Sequence, residues 1–266
     1  MEHFFAQWDR FKKDFQNNSL FIFFDYDGTL TPIVATPALA ATSLETAQLL
    51  KELSALTSVR VAIISGRSLE DLKSKGKVGN IIYSGNHGFE IENEKPDFGA
   101  LNDGKFQKIL EELGIQLLNG LGNIGGIIIE NKGWSMSIHY RLMEESHENH
   151  FYQLVQGICE PYLAKNQIKL GSGKKLWEIR PPIDWNKGKA AVWLWKKYES
   201  STGKKFLPIY LGDDQTDEDA FRELQGQGIS IRIGQSEKSA APYYLENTDE
   251  TMEFIRRILA LKSRST

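Results

Sequence analysis

The chain has 266 residues, 41% of them hydrophobic and 25% charged, which is ordinary globular composition and enough for one large domain or two modest ones. A formal net charge of −3 leaves no electrostatic footprint for nucleic acid or an anionic membrane, and no apolar run approaches the roughly 18 residues needed to span a bilayer. One cysteine, Cys159, excludes an internal disulfide and, with no secretory pattern in residues 1–20, points to a reducing cytoplasm.

Trp8, Phe11 and Phe15 stand at helical spacing and predict a helix docked on the main domain. The continuous apolar run 20–24 follows, bounded by a polar turn, as expected of a strand buried on both faces. Leu44, Ala47, Leu49, Leu50, Leu53 and Leu56 then repeat at helical spacing, with Thr42 and Glu45 placed as a capping box. Runs 59–64 and 81–83 are two more strands.

Between about Pro96 and Pro181 the period changes to two. Trp134, Met136, Ile138 and Tyr140 oppose Ser135, Ser137, His139 and Arg141, and Trp177 and Ile179 oppose Glu178 and Arg180. That is an antiparallel sheet with one face on a core and one face polar. Helical stretches at roughly 103–113 and 144–159 are placed to cover the apolar side. Afterwards the first pattern returns: a helix through Val192, Trp193 and Trp195, strands at 209–211 and 229–233, and a helix through Met252, Ile255 and Ile258. Strand–helix alternation implies a parallel sheet covered on both faces. The expected organisation is an α/β core of residues 1–96 and 181–266, interrupted by a small α+β domain of residues 97–180.

Chemistry concentrates where the buried strands end, which is where open α/β sheets build their sites. Asp25-Tyr26-Asp27-Gly28-Thr29-Leu30 follows the run 20–24. Turn chemistry explains the glycine, but an EF-hand does not fit, because its Gly belongs at position six and its Glu at position twelve. Gly212-Asp213-Asp214-Gln215-Thr216-Asp217 follows the run 209–211. A helix start accounts for Thr216 and Asp217 but not for two carboxylates against a buried strand, which repel without a cation. Oxygen-only ligands suit a hard ion that keeps several waters, which is magnesium. Ser65-Gly66-Arg67 offers a hydroxyl beside free backbone N–H groups, and Lys187 opens the helix that returns the chain to the core. Gly120-Leu121-Gly122-Asn123-Ile124-Gly125 matches a dinucleotide fingerprint but precedes a strand, so it is read as a flexible loop.

The ordered set of two acidic strand ends, one hydroxyl strand end and one lysine, with an insertion between the second and third motifs, resembles the haloacid dehalogenase superfamily of phosphotransferases. The finer motifs, with Gly85-Asn86-His87-Gly88 and Glu178-Ile179-Arg180-Pro181 added, resemble the trehalose-6-phosphate phosphatase family. The resemblance spans the chain. It implies a Rossmann-like parallel-sheet core with an inserted α+β specificity cap, and magnesium-dependent hydrolysis of a sugar phosphate in trehalose biosynthesis. Asp25 would be the nucleophile, Asp27 the acid and base, and Ser65 and Lys187 the phosphate holders. The metal set would be Asp25, the Asp27 backbone carbonyl and Asp213, with Asp214 and Asp217 steadying the ion's waters, and the carboxyl groups of residues 25, 27 and 213 would converge on the ion. Arg67, Asn86, His87, Glu130, Lys132, Arg141, Lys175, Glu178 and Arg180 would receive the sugar. A cytoplasmic monomer without nucleic-acid or membrane partners is expected. The alternatives are a sucrose-phosphate or mannosyl-phosphoglycerate phosphatase, or a non-catalytic domain that has kept the fold.

Overall fold

The computed structural model describes residues 1–34, 39–173 and 175–263. In chain order these form β1 (Glu2–His3), α1 (Trp8–Asn17), β2 (Ser19–Phe24), α2 (Leu44–Ala55), β3 (Val59–Ile64), α3 (Leu69–Ser74), β4 (Ile81–Gly85) and β5 (Glu90–Ile91). Then come α4 (Lys105–Leu121), β6 (Ile128–Asn131), β7 (Met136–His139), α5 (Glu148–Ala164), β8 (Lys169–Gly173) and β9 (Leu176–Arg180). The chain closes with α6 (Lys187–Thr202), β10 (Phe206–Gly212), α7 (Glu218–Glu223), β11 (Ile229–Ile233), β12 (Tyr243–Leu245) and α8 (Thr248–Lys262).

Two compact units result, one of residues Met1–Glu94 and Trp185–Thr266, the other of Lys95–Asp184. The first holds an eight-stranded sheet in the order β1-β12-β11-β10-β2-β3-β4-β5, parallel throughout except for the β4–β5 pair. Strand β2 shows why its sequence reads as uninterrupted apolar. Leu20, Ile22 and Phe24 join the core under α1, α2 and α8, while Phe21 and Phe23 join the core under α6 and α7. With both faces covered, no position is left for a polar residue. The chain runs from β2 outward through β3 and β4, then returns on the opposite side of β2 as β10. The sheet therefore has its switch point between β2 and β10, and the crevice at their carboxyl ends is where such folds bind ligands.

Helix starts are set by side chains that satisfy orphan N–H groups. Asn186 accepts from Lys189 N at the start of α6, and Asn247 accepts from Asp249 N and Glu250 N at α8. At α2 the cap is Ser43, which accepts from Thr46 N at 3.0 Å, one residue later than the expected Thr42. Thr42 is occupied with the Tyr26 hydroxyl.

The second unit is a four-stranded antiparallel sheet, β6-β7-β9-β8, with α4 and α5 on one face. Met136, Ile138, Ile179, Phe151, Val155 and Cys159 make its core. Helix α4 runs eight residues beyond its expected end at 113, through Gly120 to Leu121, so the first glycine of the apparent loop motif lies inside a helix. Leu113, Leu117 and Leu121 all bury against the sheet, and that burial outweighs the cost of a helical glycine.

Candidate active site

Strand β2 delivers Asp25 to the switch point, where its backbone N–H donates to Leu211 O of β10 at 2.9 Å. Gly28 turns the chain away with φ +81, and a Cβ there would lie 2.4 Å from the Asp213 carboxylate. Only glycine lets the two acidic loops approach this closely. Position 212 repeats the device, since a Cβ would lie 2.3 Å from Asp217 Cγ.

Asp25, Asp213 and Asp217 consequently bring carboxylate oxygens within 4.8 Å of one another. Lys187, the first residue of α6, lies among them and is only 3% exposed. Its Nζ donates to Asp25 Oδ1 at 2.7 Å and to Asp217 Oδ1 at 2.8 Å. Asp217 also accepts from the Tyr210 hydroxyl and from Asp214 N, so its orientation is fixed by three donors. Burial pushes the Asp25 carboxyl well above its ordinary range; Lys187 opposes this, and Asp217 and Asp213 add to it. Burial acts to lower the Lys187 ammonium, but Asp217 and Asp25 carry it above its usual value. Asp25 and Asp217 share one ammonium, so full ionisation leaves that pair one negative charge more than Lys187 balances, and Asp213 adds to the negative field at Asp25. An all-oxygen set with that deficit fits a divalent cation.

Of the three carboxyl groups expected to converge on the ion, that of residue 27 is placed otherwise. The Asp27 carboxylate does not join the cluster: Arg67 Nε and Nη2 donate to its two oxygens, each at 2.7 Å. A bidentate guanidinium pair is a strong competitor for a carboxylate, and it turns Asp27 toward β3. Asp214, expected to steady the ion's waters, accepts from Gln215 N through Oδ1 and shapes the loop.

Ser65 directly follows β3, is 1% exposed and accepts through Oγ from Arg67 N at 3.2 Å. Asn86 and His87, after β4, both take positive φ and are buried. Asn86 N donates to Arg67 O and His87 N to Ser65 O, so this turn braces the β3 loop. Asn86 Nδ2 donates to Glu90 Oε2. The Arg67 guanidinium, expected at the sugar, donates from all three nitrogens to carboxylates of the first unit.

In the second unit the register aligns Glu130, Ser137, Glu178 and Gly171 in one row across the sheet. Lys132 and His139 reach Glu130 Oε2 at 3.9 and 3.4 Å, and Arg180 Nε reaches Glu178 Oε2 at 3.4 Å. Arg141 is exposed just past the end of β7. Lys175 is not on the polar face of the strands: it donates to Glu148 Oε1 on the α5 side and lies over the Tyr140 ring. Sequence reading did not single out Tyr210 or Asp71. Tyr210 is hidden among strand residues, and Asp71 lies in an unremarkable helical stretch.

A doubly covered parallel sheet with an acid pair leaving one strand, acids leaving its switch-point neighbour, a hydroxyl leaving the next and a buried lysine beside the first defines a phosphotransferase core of the haloacid dehalogenase type. Residues 23–249 match the family model for trehalose-phosphatase. Among curated relatives, trehalose-phosphate phosphatase B of Arabidopsis thaliana is 32% identical over 262 residues, covering 94% of this chain and 69% of that protein. Trehalose 6-phosphate phosphatase RA3 of Zea mays is 32% identical over 269 residues, covering 95% and 73%. The C-terminal domain of a Candida albicans trehalose-6-phosphate phosphatase superposes with a TM-score of 0.78 at 25% identity, covering 95% of this chain and 96% of that one. The chain belongs to the trehalose-phosphatase family of phosphoric monoester hydrolases.

Proposed function

We propose that the chain hydrolyses trehalose 6-phosphate to trehalose and phosphate in trehalose biosynthesis, with magnesium as its cation. The observation that carries the reading is the buried Asp25, held 2.7 Å from Lys187 at the switch point with Asp213 and Asp217 beside it.

Hydrolysis of phosphate monoesters is slow enough without catalysis that enzymes supply up to about 10²¹-fold, far beyond the roughly 10² to 10⁴ of one acid or base. Covalent catalysis and charge placement must therefore combine. An Asp25 oxygen attacks phosphorus in line, the bond to the sugar oxygen breaks, and Asp27 gives that oxygen its proton. Asp27 then takes a proton from the water that attacks the aspartyl-phosphate, releasing phosphate and restoring Asp25. Ser65 and Lys187 hold phosphoryl oxygens, and Lys187 offsets the charge that builds on them. Asp25, Asp213 and Asp217, with the Asp27 carbonyl, would hold the magnesium ion, which when bound supplies positive charge against the phosphoryl group. The sugar hydroxyls are assigned to the Glu130–Glu178 row with Lys132, Arg141 and Arg180, since carboxylates accept from paired hydroxyls and cations donate. Asn86 and His87 complete the set, and Lys175, engaged with Glu148, is left out of it. Residues 97–180 act as the specificity cap. We place the enzyme in the cytoplasm as a monomer, in keeping with its lone, buried Cys159.

The deciding measurement is phosphate release from trehalose 6-phosphate, sucrose phosphate and a mannosyl phosphoglycerate, with magnesium and after chelation. Preference for the first substrate, lost with the metal and restored by adding it, is the expected result. Preference for another sugar would reassign the substrate, and no release from any would remove the activity. Asp25→Asn should fold normally and turn over nothing.

A further inference from the structure

Asp27 has to give and take a proton within each turnover without leaving its place. A carboxyl keeps an acceptor oxygen in both protonation states, so a guanidinium can hold it throughout. Arg67 does so with two parallel bonds of 2.7 Å. That grip is only as exact as the plane of the guanidinium, which sits at the end of a rotatable stem. Two groups fix the plane. The Tyr26 ring lies 5.5 Å from Arg67 Cζ, and the Tyr26 hydroxyl is itself 3.1 Å from Thr42 Oγ1. The remaining nitrogen, Nη1, donates to Asp71 Oδ2 at 2.6 Å. Asp71 is anchored in turn. It stands in the first turn of α3, its backbone N–H donates to the capping Ser68 Oγ, and its other oxygen is 3.5 Å from Lys75 Nζ. Arg67 is 8% exposed, so little water is available to replace a lost partner.

We infer that Asp71 is a positioning residue for the phosphatase reaction, acting through Arg67 to hold the Asp27 carboxyl in register with the leaving oxygen. The inference rests on the proposed role of Asp27. Asp71 touches neither phosphoryl group nor metal ligand in this account. Without it, Nη1 loses its only carboxylate among the described residues, the guanidinium turns, and Asp27 moves with it. A misplacement of about 1 Å is worth up to about 100-fold in rate.

The test compares Asp71→Ala and Asp71→Asn with wild type on two substrates in magnesium, reading kcat/KM, which reports events up to the departure of the leaving group. Trehalose 6-phosphate needs a proton delivered to its sugar oxygen. 4-Nitrophenyl phosphate does not, because its phenolate leaves unprotonated. Asp71→Ala should lose about 10-fold on the sugar phosphate and change little on the aryl phosphate. Asp71→Asn, which keeps an acceptor for Nη1, should recover much of the loss and serves as the folded reference. Equal losses on both substrates would reduce Asp71 to a structural residue, and an unchanged sugar-phosphate rate in the alanine variant would overturn the inference outright. A wild type inactive on the sugar phosphate but active on another monoester would defeat the proposed substrate instead, and the inference with it.

Discussion

Lys187 shows what a single side chain contributes at this site. Its ammonium is buried between Asp25 and Asp217, both nearly inaccessible, and no other cation reaches either carboxylate among the described residues. Removing one partner of a buried pair leaves the others desolvated and uncompensated, at about 3–5 kcal/mol. Lys187→Met should therefore lower the unfolding free energy by about that amount in metal-free urea titrations, besides abolishing turnover. An unchanged midpoint would mean that the carboxylates are not held ionised by this lysine. The sequence placed Lys187 correctly at the head of its helix, but not Tyr210, whose hydroxyl donates to the same Asp217 oxygen at 2.9 Å. A tyrosine inside an apolar strand carries no mark of which group its hydroxyl will meet.

Among the elements, α6 and α7 determine whether Lys187 and Asp217 meet. Asn186 caps α6 and thereby fixes where its first residue points. One residue on, Gly188 lies against α7: a Cβ there would stand 2.5 Å from Asp219 O and 2.9 Å from Ala220 Cα, both backbone. Backbone cannot rotate aside, so Gly188→Ala should force the helices apart. The expected cost is about 1–3 kcal/mol, with a fall in kcat from the widened Lys187–Asp217 distance. Denaturation and steady-state kinetics on the same preparation check it, and full retention of both would show that α7 yields freely. The strands of the first unit were legible because burial on two faces demands unbroken apolar runs. β1, β5 and β12 were not, having two or three residues each and no period to read. The length of α4 was hidden for another reason: its glycines suggested a loop, and only the sheet it packs on explains why the helix continues.

For the whole molecule, the fold alone does not fix the function, because one fold hosts many chemistries. The side chains at the strand ends, not the topology, therefore carry the phosphatase reading. The two units have separate cores. The first unit's chain leaves it at Glu94, next to the Ile91–Glu94 bridge, and re-enters at Trp185, whose Nε1 lies 3.0 Å from where a Gly88 Cβ would stand. Both crossings sit beside the β4–β5 turn, so a short glycine linker from 94 to 185 should close the first unit. The shortened chain should unfold cooperatively in urea and hydrolyse 4-nitrophenyl phosphate with magnesium, but not trehalose 6-phosphate. Failure to fold would show that the first core depends on the second.

The sequence by itself determined the strand-ending motifs, the parallel core and the change of period in the middle of the chain, because buried strands and half-buried sheets impose their periods on composition locally. Which carboxylates share one site was decided only in three dimensions. Asp27 lies two residues from Asp25 yet pairs with Arg67, and Asp217 joins the cluster from a different loop. Side-chain direction at the end of a strand depends on partners 40 and 162 residues away, and spacing along the chain does not encode that competition.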